Sequence, residues 1–440
     1  MAEKDTGDKP PTERKNTYKE VELSGSDARA KLAELMGTMS VAGVDGKPAE
    51  KEYKFWKTQP VPQMGQDDQL DLLGDHGQAI ETKTVDQVSK KPYNLIDSFE
   101  WSDIDVTDDK QLEETYRLLN ENYVEDGDAM FRFDYSREFL RWALLPPGWH
   151  PTWHVGVRVK SNKKLVAFIT AVPATLRVHM DSVEVVEINF LCVHKKLRAR
   201  RLAPVLIREI TRRVNLQNVW QAVYTAGAVL PRPVTSSRYY HRSLNPKKLI
   251  EIGFSRLQPR MTMNRTIKLF AVKPSVSTPG IRVMRSDDVP AACKLLMGYL
   301  DQFDMHIDMT EDEFAHWLMP REGVTYSYVV EDPESHEITD MISFYSLPSS
   351  IINHPAHKTL NAAYLFFAAA AKTAIIDIMQ DALVFARQNG FDVFNALDLA
   401  RHSEFFKDLK FHIGDGELHY YLYNWKCRPM AKETNALVLL

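Results

Sequence analysis

The sequence predicts an α+β protein made of two similar halves, on three observations. With 440 residues, 44% of them apolar and 10% aromatic, the chain can bury one large core or two ordinary ones. A punctuated stretch, Lys273-Pro-Ser-Val-Ser-Thr-Pro-Gly280, breaks it near the middle and reads as a linker. On either side the same order recurs, two strands, a helix and a further strand, with a polar turn before the first strand and a proline soon after it.

In the first half that turn is Ser161-Asn-Lys-Lys164 and the proline is Pro173. Residues 165–171 and 185–193 read as strands. Leu206, Ile210 and Val214 then fall on one face of a helix over 203–214, and a strand follows over 219–226. In the second half the turn is Asp332-Pro-Glu-Ser335 and the proline is Pro348. Strands are expected over 341–347 and 362–367, then a helix from about Thr373 that Gly390 stops, then strands over 391–397 and 418–425. Residues 1–50 mix charges with Gly, Ser and Pro without sustained apolar period, the composition of a disordered tail. The expected division is a tail over 1–50, a first half over 51–272, a linker over 273–280 and a second half over 281–440.

Composition excludes several classes. A net charge of -4 gives the whole molecule no field for nucleic acid or anionic membrane, so any site for a polyanion must be local. Cys192, Cys293 and Cys427 are too few and too scattered for a disulfide framework or a zinc cluster, which suits the cytosol. The start, Met1-Ala-Glu-Lys-Asp5, has neither the apolar stretch of a signal peptide nor the second-position glycine of a lipidated chain. The longest apolar run, over 362–371, is shorter than the roughly 20 residues that span a bilayer. Asp304, His306, Asp308 and Glu311 lack the glycine and spacing of a calcium loop and read as a solvated acidic loop, and no metal is expected.

One segment could seat a phosphate. The strand at 187–193 runs into His194-Lys-Lys-Leu-Arg-Ala-Arg-Arg-Leu202, five basic side chains just ahead of a helix start near Ala203-Pro204. Helix starts present unpaired amides and partial positive charge, which suits a pyrophosphate such as that of coenzyme A. Charge runs are also commonly solvated surface. Arg208, Arg212 and Arg213 extend the patch in a way that would suit RNA, against which stand the negative net charge and the lack of interleaved aromatics.

Glu187-Ile-Asn-Phe-Leu-Cys-Val-His-Lys195 resembles the first signature of the N-myristoyltransferase family, and Lys410-Phe-His-Ile-Gly-Asp-Gly416 resembles the second. The likeness extends from Tyr53-Lys-Phe-Trp56 to Leu440 and takes in Phe131-Arg-Phe-Asp-Tyr135, Val223-Tyr-Thr-Ala-Gly227 and His241-Arg-Ser-Leu-Asn-Pro246. It implies two tandem acetyltransferase-like halves, related by a pseudo-twofold axis, that share one saddle-shaped mixed sheet. It also implies transfer of myristate from myristoyl-CoA to the amino group of an N-terminal glycine, on substrates beginning Gly-x-x-x-Ser/Thr. Ribosome association is a further partner of the resembled family, although residues 1–50 lack a long polylysine block. No DNA partner and no membrane span are implied. The rival reading is a non-catalytic module that binds acyl-CoA or RNA through the basic turn.

The resemblance assigns roles residue by residue. The amides of Phe190 and Leu191 would stabilise the tetrahedral oxyanion of amide formation, although an ordinary ladder strand fits the composition equally well. Lys54, Phe55, Trp56, Phe190, Leu191, Cys192, Val193, Arg198, Ala199, Arg201, Leu202 and Ala203 would line the acyl-CoA path. Cys192 and His194 share a strand face, which suggests a thiol and its base, but Cys192 reads better as a small buried residue. The carboxylate of Leu440, in the apolar end Asn435-Ala-Leu-Val-Leu-Leu440, would take a proton from the substrate ammonium, with Asn189 and Thr225 steering the amine. In water that transfer is uphill by about 6 kcal/mol, a gap that burial narrows.

Tyr123, Asp126, Asp128, Phe131, Phe133 and Tyr135 would bind the peptide, the last three on one strand face and the two acids facing a basic residue of the substrate, unless they only form a turn around Gly127. Tyr224, Gly227, Tyr239, His241, Phe254, Tyr345, Ser349, Asp415 and Gly416 complete that set. His412 stands where the second signature has glycine, so its turn could differ, and Ala199 and Arg200 alter the phosphate segment.

Overall fold

The computed structural model of the protein describes residues 53–65, 70–126 and 128–440. The tail expected over 1–50 and the proposed start of the fold at Lys51 lie outside these residues. The first stretch of chain forms β1 (Phe99–Asp103), α1 (Asp109–Asn122), β2 (Phe131–Phe133), α2 (Arg137–Leu144), β3 (His154–Val159), β4 (Leu165–Val178), β5 (Asp181–Val193), α3 (Leu202–Asn215), β6 (Gln221–Ala226) and β7 (Thr235–Ser243). Two short helices, α4 (Pro246–Glu251) and α5 (Met263–Leu269), lead to the linker. Beyond it come β8 (Ile281–Val283), α6 (Val289–Leu300), β9 (Met305–Asp308), α7 (Glu311–Leu318), β10 (Thr325–Glu331), β11 (Ile338–Ser346), β12 (Ser349–Ile351) and β13 (Thr359–Leu360). The chain closes with β14 (Ala362–Ala370), α8 (Ile375–Gln388), β15 (Val393–Leu397), α9 (Ser403–Phe406) and β16 (His412–Tyr423).

One mixed sheet runs β1-β3-β4-β5-β6-β16-β7-β15-β14-β11-β10-β8, with β9 added to β4. Read from either edge the order is the same: an antiparallel run, then a parallel pair bridged by a helix. The pairs are β5 and β6 across α3, and β14 and β15 across α8. At the centre the halves exchange strands, since β16 pairs with β6 while β7 pairs with β15. The protein is therefore α+β, with two matching halves in one sheet.

Local chemistry fixes these elements. In α1 the Asp108 carboxylate caps the amides of Lys110 and Gln111 at 3.1 and 2.9 Å, and Leu112, Thr115, Leu118 and Leu119 are buried at helical spacing. α8 buries Ile378, Met379, Ala382 and Leu383 and ends before Gly390, whose φ of 79° favours glycine. Strand β4 runs on through Pro173 to Val178. Its partner β3 reaches only Thr170 and β9 begins only at Thr175, so the proline, which has no N–H, falls where that edge is open. The strand expected over 418–425 starts earlier, at His412, because an irregularity between Ile413 and Glu417 lets the polar signature join the sheet.

The acidic cluster departs from a solvated loop. His306 lies on β9, wholly buried, with Asp308 3.5 Å from Nδ1 and Asp301, rather than Glu311, 3.8 Å from Nε2. Glu311 instead opens α7. Strand pairing with β4 pulls the histidine inward and leaves the acids toward water.

Candidate active site

The site grows from an irregularity in β5. Phe168 pairs with Cys192 and Thr170 with Asn189, so Phe190 and Leu191 stand together opposite Ile169. Phe190 takes a φ of 55°, which a bulky residue adopts only when its surroundings compel it. Those surroundings are the rings of Tyr135 at 5.2 Å and Tyr123 at 6.0 Å. A bulge leaves its extra residue outside the ladder, and the Phe190 backbone turns toward the Tyr123 phenol. Burial drives that phenol well above the usual tyrosine range.

The faces of β5 then part. Phe190 and Cys192 enter the core under α1 and α2, whereas Ile188, Leu191 and Val193 face α3. On that second side lies a largely apolar cavity of about 220 Å³, walled by Val186, Ile207, Ile210, Val214 and Tyr423. Asn189, Phe190, Leu191, Thr225 and Leu440 meet at it, together with Phe55, Trp56, Tyr123, Ala203 and Tyr224. Trp56 stacks on Tyr224 at 5.8 Å, and Tyr224 on Tyr421 at 5.0 Å. Lys54, Cys192, Val193, Arg198, Arg201 and Leu202 are not among the lining residues. The Cys192 thiol, pushed up to about 12 by burial, lies 3.8 Å from the Leu118 carbonyl, so it is a packed thiol and not a thiolate.

Helix α3 starts beside the cavity, with Ala203 and Pro204 on its wall. Arg201 precedes the helix in the left-handed region and no side chain caps the first turn, which leaves its amides for an anion. Of the five basic residues, Lys195 pairs with Glu125, and Arg198 spends its guanidinium on the carbonyl of Asn122 at 2.6 Å. Lys196, Arg200 and Arg201 are exposed. The suggested extension toward RNA fails at Arg212 and Arg213, which clamp the wholly buried Glu209. Arg208 stacks over Phe55.

The end of the chain is held inside the molecule. The Asp304 amide donates to the Thr434 carbonyl oxygen at 2.8 Å, and the Ala436 amide donates to that of Met305 at 2.8 Å. The wholly buried Asn435 accepts from the Leu437 amide at 3.0 Å, and residues 436–439 are buried. The Leu440 amide donates to Glu187 at 3.3 Å, and Asn189 donates to the same carboxylate oxygen at 2.6 Å. Burial pushes Glu187 up to about 7, against the two hydrogen bonds. Sequence reasoning missed Glu187, whose signal was an acid in step with the buried Val183 and Val185.

A chain of rings leads outward from the bulge. Tyr123 and Tyr135 meet at 5.9 Å, Phe133 touches Tyr135 at 5.9 Å and Tyr364 at 6.3 Å, and Tyr364 meets Tyr345 at 5.4 Å and Tyr239 at 6.1 Å. Phe131, Phe254 and His241 continue it at 5.8 and 5.4 Å. Strand β2 ends at Phe133, paired with Ser349, so Tyr135 reaches the wall past the strand. Tyr364 is the ring that sequence reasoning missed, hidden in an apolar strand. Asp126 accepts the amides of Met130 and Phe131, each at 2.7 Å, so it builds the turn, while Asp128 is exposed. Gly227 follows β6, and Asp415 and Gly416 are exposed on the irregular part of β16. His412 needs no glycine conformation, since its φ is not positive, and its ring packs 5.5 Å from Phe270.

Fold and site define an α+β protein with a largely apolar cavity that has a backbone bulge and an uncapped helix start on its wall. The family description "Myristoyl-CoA:protein N-myristoyltransferase, N-terminal domain" matches residues 79–237, and the C-terminal domain of the same description matches 251–437. Glycylpeptide N-tetradecanoyltransferase 1 of Arabidopsis thaliana is 53% identical over 397 residues, 90% of this chain and 91% of that protein. Glycylpeptide N-tetradecanoyltransferase 2 of Bos taurus is 53% identical over 391 residues, 89% of this chain and 77% of that protein. The crystal structure of Saccharomyces cerevisiae N-myristoyltransferase with bound myristoyl-CoA aligns with a TM-score of 0.84 at 42% identity, over 89% of this chain and 100% of that one. The chain belongs to the N-myristoyltransferase family.

Proposed function

We propose that the protein transfers myristate from myristoyl-CoA to the α-amino group of an N-terminal glycine, by direct attack without an acyl-enzyme. The observation that carries this reading is the meeting of the Phe190–Leu191 bulge, Asn189, Thr225 and Leu440 at one apolar cavity. Cys192, buried and protonated, offers no rival nucleophile. The acyl chain fills the apolar cavity, where each buried methylene contributes about 0.8 kcal/mol. The phosphates sit toward the start of α3 with Arg200 and Arg201, and Phe55 and Trp56 cover the carrier.

The glycine ammonium approaches between Asn189 and Thr225 and gives a proton to the Leu440 carboxylate. The free amine attacks the thioester carbonyl, the amides of Phe190 and Leu191 hold the oxyanion, and collapse breaks the C–S bond, the proton shed by the nitrogen passing to the departing thiolate so that CoA leaves as the free thiol. A missing oxyanion donor costs roughly 3–4 kcal/mol in such reactions. Glu187 positions both Asn189 and the chain end through its shared carboxylate oxygen. The peptide runs along the ring wall, with Asp128 and Asp415 toward basic residues further on. On this reading the substrates begin Gly-x-x-x-Ser/Thr and are met in the cytosol. The segment over 51–272 supplies the acyl-CoA site and most rings of the peptide wall, and 281–440 supplies the chain end together with Tyr345 and Tyr364.

The test mixes protein, myristoyl-CoA and a peptide beginning Gly-x-x-x-Ser, beside the same peptide with an acetylated glycine, and follows free CoA. Release with the free amine alone is expected. Tight myristoyl-CoA binding without release would leave a binding module.

A further inference from the structure

Although the chain is acidic overall, one surface is not. Between 242 and 273 it carries eight Lys and Arg against a single acid, Glu251. That acid is engaged by His357 at 3.0 Å and Lys247 at 3.9 Å. Arg242 and Lys248 point inward, the first to the carbonyl of Leu409 and the second to Asp392. Arg256, Arg260, Arg265 and Lys268 remain exposed on α5 and the loop before it, with no ion-pair partner among the described residues.

Aliphatic side chains stand among these charges. Leu257, Ile267 and Leu269 are 42%, 40% and 44% exposed, while Thr266 turns inward to anchor the helix. The second signature continues the patch, for Lys410 donates to Leu269 O at 2.7 Å and Ile413 is 65% exposed. Scattered apolar residues need no explanation, but a short helix with cations and protruding aliphatics on one surface has the chemistry of an interfacial element. We propose that α5, the 256–262 loop and the 410–413 segment at the start of β16 form a docking surface for an anionic lipid bilayer.

Charge complementarity argues for a polyanion, and the side chains decide which. A single-stranded RNA surface would offer rings for base stacking. Here the exposed apolar groups are aliphatic, suited to the boundary between headgroups and acyl chains, while the patch's rings, Phe270 and His412, pack on each other at 5.5 Å. The patch also adjoins the peptide wall, because Phe254 packs on Phe131 just before the loop, and Gly414 abuts His241 just after Ile413. Resting on the proposed transfer reaction, this placement would release a freshly acylated chain at a membrane, where one myristoyl group alone binds only weakly.

The experiment floats the full chain with phosphatidylcholine vesicles and with vesicles that also contain phosphatidylserine, at several salt concentrations. Binding is expected to the second kind only and to weaken with salt. R256Q/R260Q/R265Q/K268Q should abolish it, each cation near a membrane surface being worth about fivefold in partitioning, while turnover on soluble peptide stays unchanged. I267S/L269S should weaken binding in a way that lower salt does not restore. Absence of binding at physiological salt, binding by the quadruple variant equal to that of the native chain, or displacement from vesicles by single-stranded RNA with tighter binding to the RNA would each overturn the proposal. Vesicle binding without any peptide turnover would instead overturn the reaction and leave the surface standing.

Discussion

Glu187 is where a single residue sets a pH dependence. Its carboxyl, ordinarily near 4.5, is pushed up to about 7 because it is buried, with only the Asn189 amide and the Leu440 N–H to support its charge. Below 4.5 it is protonated whether the chain is folded or not and contributes nothing. Between 4.5 and about 7 the unfolded chain gives up the proton and the folded one keeps it, so stability falls as pH rises. Above that the penalty stays, on the order of 3 kcal/mol. Urea unfolding of the native chain and of E187Q should therefore diverge, the native chain losing ground to the variant from pH 5 to pH 8. A constant difference would mean that the carboxyl titrates normally. Gly414 tests packing on the peptide wall. A Cβ there would stand 2.2 Å from His241 Nε2 and 2.9 Å from the Tyr239 carbonyl. His241 is held by Asn395 at 2.6 Å, so the ring has little room to yield. G414A should lose about 1–3 kcal/mol of stability and raise the peptide KM, with acyl-CoA affinity unchanged in a fluorescence titration.

The last residues of the chain form an element without regular structure, held by β9 and by Asn435. Removing the Asn435 side chain strips the buried Leu437 amide of its acceptor, at a cost of about 1–3 kcal/mol. N435A should raise hydrogen exchange over 436–440 and lower kcat at least tenfold while myristoyl-CoA still binds; unchanged kcat would mean the chain end needs no such anchor. Adding residues after Leu440 asks the same of the proposed base, and a folded, tailed variant with native turnover would remove Leu440 from the mechanism. Elements of this kind mark the limit of what sequence conveys. The helix α3 and strands β5 and β14 were legible because local periodicity and burial coincide in them. Strand β7, Thr-Ser-Ser-Arg-Tyr-Tyr-His-Arg-Ser, has no apolar alternation and owes its place to neighbours far away in the chain. The bulge was legible only as a signature, since Asn189, Phe190 and Leu191 fit an ordinary strand until Phe190 is seen with a positive φ. Tyr364 and Glu187 escaped notice because their neighbours in sequence describe a strand, while their roles depend on partners in other elements.

At the scale of the whole molecule the central exchange of strands governs how the halves depend on each other. Residues 53–272 alone would expose the edge of β6 that β16 covers and the edge of β7 that β15 covers. Residues 281–440 alone would expose the complementary edges, and Leu440 would lose the Glu187 contact. Unpaired edges of this length invite aggregation. The linker makes fewer demands. Lys273, Pro274 and Ser275 are exposed, while Ser277 and Thr278 are tied by their amides to Asp381 on α8, each at 2.8 Å. A protease site placed at 274–275 should therefore be cut without consequence: the two pieces should elute together in size-exclusion chromatography and retain turnover, since the strand ladder and not the linker joins them. The same pieces expressed separately should aggregate, and should recover a joint peak only when refolded together. Dissociation after cleavage, or a soluble monomeric 53–272 with a cooperative unfolding transition, would show that each half folds by itself and that the exchange is dispensable.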